Sequence, residues 1–263
     1  MPRPESIAGP GFTVRLPASE EIDLDQDAEW CIVEIAGERR RIRFHDYAAI
    51  YAIPGLYELL FYKALECDSP HTVRKLVAGV LDERGTDPAT LSVLDVGAGN
   101  GMVAEQFAEL GVESIVGVDI LPEAAKAAQR DRPGVYDNYR AVDLTQVPPD
   151  VDELLGNAGF NCMTSVAALG FGDIPPRAFA RAYNYVRPGG LIAFTIKQEF
   201  LSEADATGFS RLIRRMLDSG VLSGALAERR YRHRLSVAGE PLYYVAYVAE
   251  KVEDVPDEWT VAT

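Results

Sequence analysis

The sequence predicts an α/β fold: a seven-stranded, mainly parallel sheet with an antiparallel C-terminal hairpin, preceded by an N-terminal β-hairpin and a helical lid. Three observations predict it. From residue 91 onward short apolar runs alternate with amphipathic ones, the pattern of buried parallel strands joined by covering helices. The first of these strands breaks into glycines at alternate positions, 97, 99 and 101, before a helical run begins. The last two strand-like runs, 231–237 and 242–248, are joined only by Ala238-Gly239-Glu240-Pro241. That connection is too short for a parallel crossover, so the sheet must finish antiparallel.

Taken in order, residues 1–28 carry Pro2, Pro4, Pro10, Gly11 and Pro17 among acids and read as an irregular arm. Two β-rich runs, 30–35 and 39–44, flank Ala36-Gly37-Glu38 and predict a hairpin. Residues 46–66 place Tyr47, Ile50, Tyr51, Leu56, Leu59, Leu60, Tyr62 and Leu65 at helical spacing, and Pro54-Gly55 divides them into two short helices. Ser69-Pro70, an N-cap followed by a first-turn proline, opens a helix over 71–83. Beyond it, strands are expected at 92–96, 114–119, 139–143, 160–165 and 191–196, with helices at 102–110, 122–129, 151–156, 175–185 and 208–219. The expected division is 1–70 for arm, hairpin and lid, 71–255 for the sheet domain, and 256–263 as a tail.

Composition narrows the function. The chain has 263 residues and a formal net charge of −14. Acids crowd two places: Glu20, Glu21, Asp23, Asp25, Asp27 and Glu29, and then Glu250, Glu253, Asp254, Asp257 and Glu258. An acidic chain gains no affinity for phosphate backbones through counterion release, so nucleic acid is a poor partner. The one basic run, Arg39, Arg40, Arg41 and Arg43, is short and falls on the hairpin. No apolar stretch is long enough for a bilayer, and no charged-then-apolar leader opens the chain. Cys31, Cys67 and Cys162 are odd in number and far apart, which suggests neither a disulfide framework nor a metal site; a reducing cytoplasm is the expected setting.

The chemistry concentrates in Val93-Leu-Asp-Val-Gly-Ala-Gly-Asn-Gly-Met-Val-Ala104. Glycine permits positive φ and lets a ligand come close to the backbone, and the helix that follows presents free N–H groups. The spacing is GxGxG, not the GxGxxG of dinucleotide loops. Asp95, two residues before the first glycine, would disfavour a pyrophosphate but suits a ligand's cationic amino group. Asp119 ends the second strand, placed to accept both hydroxyls of a ribose. Asp143 ends the third, within reach of an adenine amino group. Each acid alone reads more readily as a helix cap or a solvated loop residue than as a ligand contact. Three acids at three successive strand tips instead form a row along the ligand-binding edge of an α/β sheet.

These residues resemble the class I S-adenosylmethionine (SAM)-dependent methyltransferases, a Rossmann-like family, over roughly 90–250. Carried over by position, the resemblance implies a SAM loop of Asp95, Gly97, Ala98, Gly99, Asn100 and Gly101. It implies a ribose acid at Asp119 with Ile120 beside it, and an adenine site at Asp143 and Leu144. The stretch 160–165 resembles the fourth strand, placing Ser165 by the methyl donor, and residues 44–51 resemble a lid helix whose Tyr51 covers the cofactor. From Asp173 through Val186-Arg-Pro-Gly-Gly190 to Leu212 the chain is similar to the methyltransferase-like proteins of the Williams–Beuren region. Residues 164–169, Thr-Ser-Val-Ala-Ala-Leu, depart from the Asn/Asp-Pro-Pro-aromatic turn of adenine-amino methyltransferases, and there is no Pro-Cys pair of the cytosine-C5 type.

The resemblance implies methylation of a small-molecule acceptor at oxygen or nitrogen, with S-adenosylhomocysteine (SAH) as product and no metal, while charge and hydropathy argue against nucleic acid and membrane as partners. Candidate bases are His45, His71 and His233, and Tyr51, Tyr57, Tyr62, Glu199 and Phe200 are candidate acceptor-pocket residues; the sequence singles out none as catalytic and is silent on oligomeric state. Three alternatives stay open: an NAD-dependent oxidoreductase, a SAM-binding regulatory protein without chemistry, and an enzyme that methylates basic proteins.

Overall fold

The computed structural model describes residues 6–17, 26–169, 173–197 and 208–259. The chain separates into two compact units, residues 1–68 with 232–243, and residues 69–231 with 244–263. Thus the tip of the C-terminal hairpin groups with the first unit, although its strands continue the sheet of the second.

In the first unit β1 (Ile7–Gly9), β2 (Phe12–Arg15), β3 (Trp30–Ile35) and β4 (Glu38–Arg43) form a four-stranded sheet in that order. The expected β3–β4 hairpin is present, with Trp30 opposite Arg43 and Ile35 opposite Glu38. The expectation of an irregular arm over 1–28 is corrected: residues 7–15 are a second hairpin, turned at Pro10-Gly11 with Gly11 at φ 82°. Phe12 and Val14 explain it, because their alternation buries both beneath the sheet with Cys31, Val33 and Ile42. Helix α1 (Tyr47–Tyr51) is capped by Asp46, and a π-helical segment, Glu58–Ala64, follows; Pro54-Gly55 divides them as expected.

The second unit opens with α2 (Ser69–Glu83), whose Val73, Val77, Val80 and Leu81 repeat at helical spacing and are buried. Then come β5 (Ser92–Val96), α3 (Met102–Leu110), β6 (Ser114–Asp119), α4 (Pro122–Asp131), β7 (Asn138–Ala141) and α5 (Pro149–Asn157). The series closes with β8 (Cys162–Leu169), α6 (Pro176–Asn184), β9 (Leu191–Lys197), α7 (Phe209–Asp218), β10 (Ala227–Leu235) and β11 (Pro241–Glu250).

The strand order is β10-β11-β9-β8-β5-β6-β7. Strands β5 to β9 are parallel, and β11 inserts antiparallel beside β9, from Tyr244 opposite Lys197 to Glu250 opposite Leu191. The predicted seven strands and antiparallel finish are therefore both present. Side chains from α5, α6 and α7 pack in one cluster of the core and those from α2 and α3 in another. Order reverses on either side of β5 and β8, which is where an α/β sheet opens a crevice at its strand ends. The last two strands are longer than expected, at Ala227–Leu235 and Pro241–Glu250, and two further differences bear on the ligand edge. The third stops at Ala141, leaving Asp143 in the turn beyond, and the fourth continues to Leu169.

Candidate functional site

The loop after β5 turns three times through left-handed backbone, with Gly97 at φ 70°, Gly99 at φ 54° and Gly101 at φ 90°. A Cβ on Gly97 would lie 2.8 Å from the Ala168 Cβ and 3.0 Å from the Ile174 Cδ1, so conformation and space both exclude a side chain there. The amides of Gly97 and Ala98 both donate to the Val118 carbonyl, at 2.9 and 3.1 Å, which fastens the loop to β6.

Asp119 fastens it a second time. Its Oδ2 accepts the Gly99 N–H at 3.0 Å and its Oδ1 the Leu121 N–H at 2.9 Å. The Ile120 N–H is a third backbone donor to the carboxylate, which, with about four lone-pair sites, keeps acceptor capacity beyond the three. Burial raises the Asp119 carboxyl pKa, against the backbone donors that lower it. The next side chain, Ile120, is 59 % exposed, an apolar group left in the open beside a carboxylate.

Asp95 is buried and lies in register with Gly117 on β6 and Thr164 on β8. The Thr164 hydroxyl donates to Oδ1 at 2.7 Å and the Tyr136 hydroxyl to Oδ2 at 2.8 Å. Burial nonetheless pushes its carboxyl up to about 6, with Asp119 adding like-charge repulsion. The second face of the loop is braced by Tyr139, whose hydroxyl donates to the Gly99 carbonyl at 2.8 Å. Arg132 donates to the Asn100 carbonyl at 3.2 Å and pairs with Glu105 at 3.1 Å. The Asn100 amide donates to Asp131 at 3.2 Å.

Beyond Ser165 the fourth strand is irregular: register shifts between Ser165 and Leu169, and Ala167 stands at φ 56°. The Ala167 N–H is held by the Thr195 hydroxyl at 2.7 Å. A bulge and a strained non-glycine residue at a strand end re-aim the chain, as they do beside many binding sites. Ser165 Oγ is buried and has no hydrogen-bond partner among the described residues. A buried hydroxyl in that state is an open position for a ligand or water.

The structure brings together the sequence-predicted Asp95, Gly97, Ala98, Gly99, Asn100 and Asp119 through the hydrogen bonds above, and the Gly101 N–H donates to the Ala98 carbonyl at 3.1 Å. Leu144 is buried, and Asp143 Oδ1 accepts from the Thr145 N–H at 2.8 Å and hydroxyl at 2.7 Å, the geometry of a turn cap. Tyr51 lies in the first unit, its ring 6.2 Å from Tyr47 and 5.0 Å from Tyr57. His233 is buried in that unit, held neutral by desolvation and by Arg234, with Nδ1 3.8 Å from the Cys67 Sγ. His45 packs edge-on against Tyr47, and His71 is exposed in the first turn of α2. Glu199 and Phe200 lie outside the described residues.

Missed were Tyr136, Tyr139, Thr164 and Arg132. One signal was available: Gly117 interrupts the apolar run of β6, and a glycine inside a strand marks close approach by another group. Among the described residues no group of three or more His, Cys, Asp or Glu could hold a metal, and no helix is long and apolar enough to cross a membrane.

Residues 70–228, more than half of the chain, match the methyltransferase domain family. The chain belongs to that family. Human methyltransferase-like protein 27 is 27% identical over 140 residues, covering 53% of this chain and 54% of that protein. The ubiquinone biosynthesis O-methyltransferase of Pseudomonas entomophila is 26% identical over 152 residues, 57% of this chain and 62% of the enzyme. The match therefore spans little more than half the length of these curated relatives. Among solved structures, the N-methyltransferase NodS from Bradyrhizobium japonicum WM9, in complex with SAH, superposes on 80% of this chain and 98% of its own. Its TM-score is 0.53 at 14% identity, a likeness of fold. The matched span contains the glycine loop and the strand-tip acids from which the methyltransferase domain was read.

Proposed function

We propose that the methyltransferase domain binds SAM along Asp95 to Gly101, Asp119, Ile120, Asp143, Leu144 and Ser165, and transfers its methyl group to a small-molecule acceptor at oxygen or nitrogen. The observation that carries this reading is the coupling of the glycine loop to Asp119 through the Gly99 N–H, which unites two of the expected contact regions in one rigid element.

The residues fit such a cofactor. Asp95 is an anion for an amino group, Asp119 retains acceptor capacity for hydroxyls, Ile120 offers exposed apolar surface for a base, and Ser165 Oγ is a buried hydroxyl without a partner among the described residues. Bound SAM supplies a methyl group on a sulfonium centre, an activated donor. What remains for the chain is to orient donor and acceptor and exclude water, so the demand on side-chain catalysis is small. The Pseudomonas relatives named for an O-methylation in ubiquinone biosynthesis support a small acceptor. The buried Asp95, beside a loop that a pyrophosphate would have to approach, argues against a dinucleotide.

Calorimetric titration with SAM, SAH and NADH tests the cofactor. Micromolar binding of the two adenosyl-sulfur ligands with none of NADH is expected; binding of NADH alone would reverse the assignment. Turnover of SAM across a panel of phenols, amines and carboxylates then tests the acceptor class. Turnover confined to basic proteins would replace it.

A further inference from the structure

We propose that Tyr136 and Tyr139 are positioning residues of the cofactor loop, Tyr136 by holding Asp95 in its anionic form and Tyr139 by fixing the Gly99 peptide. The inference rests on the reading of residues 95–101 as a SAM loop and extends it to two side chains that no glycine motif includes.

The two rings are built into the sheet rather than laid on it. They meet edge to face, 5.1 Å apart at 86°, and both lie over Gly117. A Cβ there would stand 2.9 Å from Tyr136 Cε1 and 2.9 Å from Tyr139 Cδ2, so the missing side chain of β6 is the space the rings occupy. From that seat both hydroxyls reach the loop. Tyr136 donates to Asp95 Oδ2 at 2.8 Å and has the Ala98 carbonyl at 3.2 Å; Tyr139 donates to the Gly99 carbonyl at 2.8 Å.

The peptide between Ala98 and Gly99 is therefore held at both ends, its carbonyl near Tyr136 and its N–H on Asp119. The following peptide is held by its carbonyl on Tyr139. A loop with three glycines loses much backbone entropy when it is ordered. Bracing it before the ligand arrives removes that cost from binding.

Tyr136 has a second task. The titratable groups facing Asp95 are Asp119 on β6, Tyr136 and Tyr139 at β7, and Cys162 on β8. Burial keeps both phenols and the thiol neutral, and Asp119 is an acid, so none of these groups is a cation. The Asp95 anion is stabilised instead by two hydroxyl donors, Thr164 and Tyr136. Removing one of them favours the neutral acid, which has no attraction for a ligand ammonium group.

The test is calorimetric titration of SAH into the full chain between pH 5.5 and 8.5. For the wild type, affinity should fall as pH drops through about 6, where Asp95 takes up a proton. Tyr136→Phe keeps the ring over Gly117 and removes only the hydroxyl. It should move that midpoint up by about one pH unit, weakening SAH about threefold at pH 6.5 and about eightfold at pH 5.5, with recovery at pH 8.5. Tyr139→Phe should weaken SAH at every pH and leave the midpoint in place. Gly117→Ala, which crowds both rings without touching either hydroxyl, should weaken SAH as well.

A Tyr136→Phe protein with the wild-type pH profile would overturn the proposal, and so would a Tyr139→Phe protein with wild-type affinity. A wild type that ignores SAH would overturn the cofactor reading instead. In that event the pH dependence of unliganded stability still reports the Asp95 midpoint, which Tyr136→Phe must still move.

Discussion

Asp95→Asn should make the protein more stable at neutral pH and a worse binder of SAM. Asp95 is 1 % exposed, and its folded carboxyl sits at about 6 against an ordinary 3.8. Below the ordinary value both folded and unfolded chains are protonated, and the group contributes nothing. Between the two values the unfolded chain is ionised while the folded one holds its proton, so stability falls as pH rises. Above about 6 both are ionised and the cost is constant. Two pKa units correspond to about 3 kcal/mol, of which about 2 kcal/mol accumulates between pH 4 and 6.

Asparagine removes that term and keeps most of the bonding. Tyr136 can accept from the new amide while it donates to the Ala98 carbonyl, 3.2 Å away, and Thr164 can donate to the remaining oxygen. Imperfect rebonding costs about 1 kcal/mol, leaving a net gain of about 2 kcal/mol at pH 8. Urea unfolding of wild type and variant at matched pH isolates the term, because titrating groups that do not interact with Asp95 cancel in the difference and the coupling to Asp119 is the smallest of the causes that shift it. The difference should grow by about 2 kcal/mol from pH 4 to 6 and then level off, while SAH affinity at pH 8 falls at least about tenfold as a charge-assisted contact is lost. A difference that stays flat with pH would refute the reasoning that burial sets the ionisation of Asp95.

Other perturbations test other parts. Asp119→Ala removes the acceptor of the Gly99 N–H as well as a proposed ribose contact, and should weaken SAM binding by about tenfold or more in a folded protein; calorimetry with unchanged affinity would exclude the ribose role. Glu29→Ala leaves Arg234 buried without its carboxylate, now 2.5 Å away, and the Val237 N–H without its acceptor. The expected loss is about 3–5 kcal/mol in the first unit, read by denaturant unfolding. Lys251→Met strips two carbonyls at the end of α6, Tyr183 and Asn184, of a buried ammonium donor at 3.0 and 3.2 Å. Thermal unfolding should register a loss of about 2–3 kcal/mol.

How much was legible follows from the range of the interaction involved. Strand–helix alternation, the short final connection and the glycine spacing are local patterns, and they yielded seven strands, the antiparallel finish and the loop. The first hairpin was misread because Pro2, Pro4, Pro10 and Pro17, followed by the acids of 20–29, suggested irregular chain. The alternation of Phe12 and Val14 is too short to register until pairing with β3 sets them beside Ile35 and Val33 in one apolar cluster.

The sequence by itself determined the sheet, the loop Asp95–Gly101 and the acid at Asp119, because backbone conformation and strand-tip position are written in neighbouring residues. Only the tertiary structure decided that Tyr136 and Thr164 hold Asp95 from two sides and that Tyr139 braces Gly99. It alone decided that Glu29 meets Arg234 across 205 positions. Those choices rest on hydrogen bonds and desolvation between segments far apart in the chain, and their direction is fixed only when the strands have taken their order.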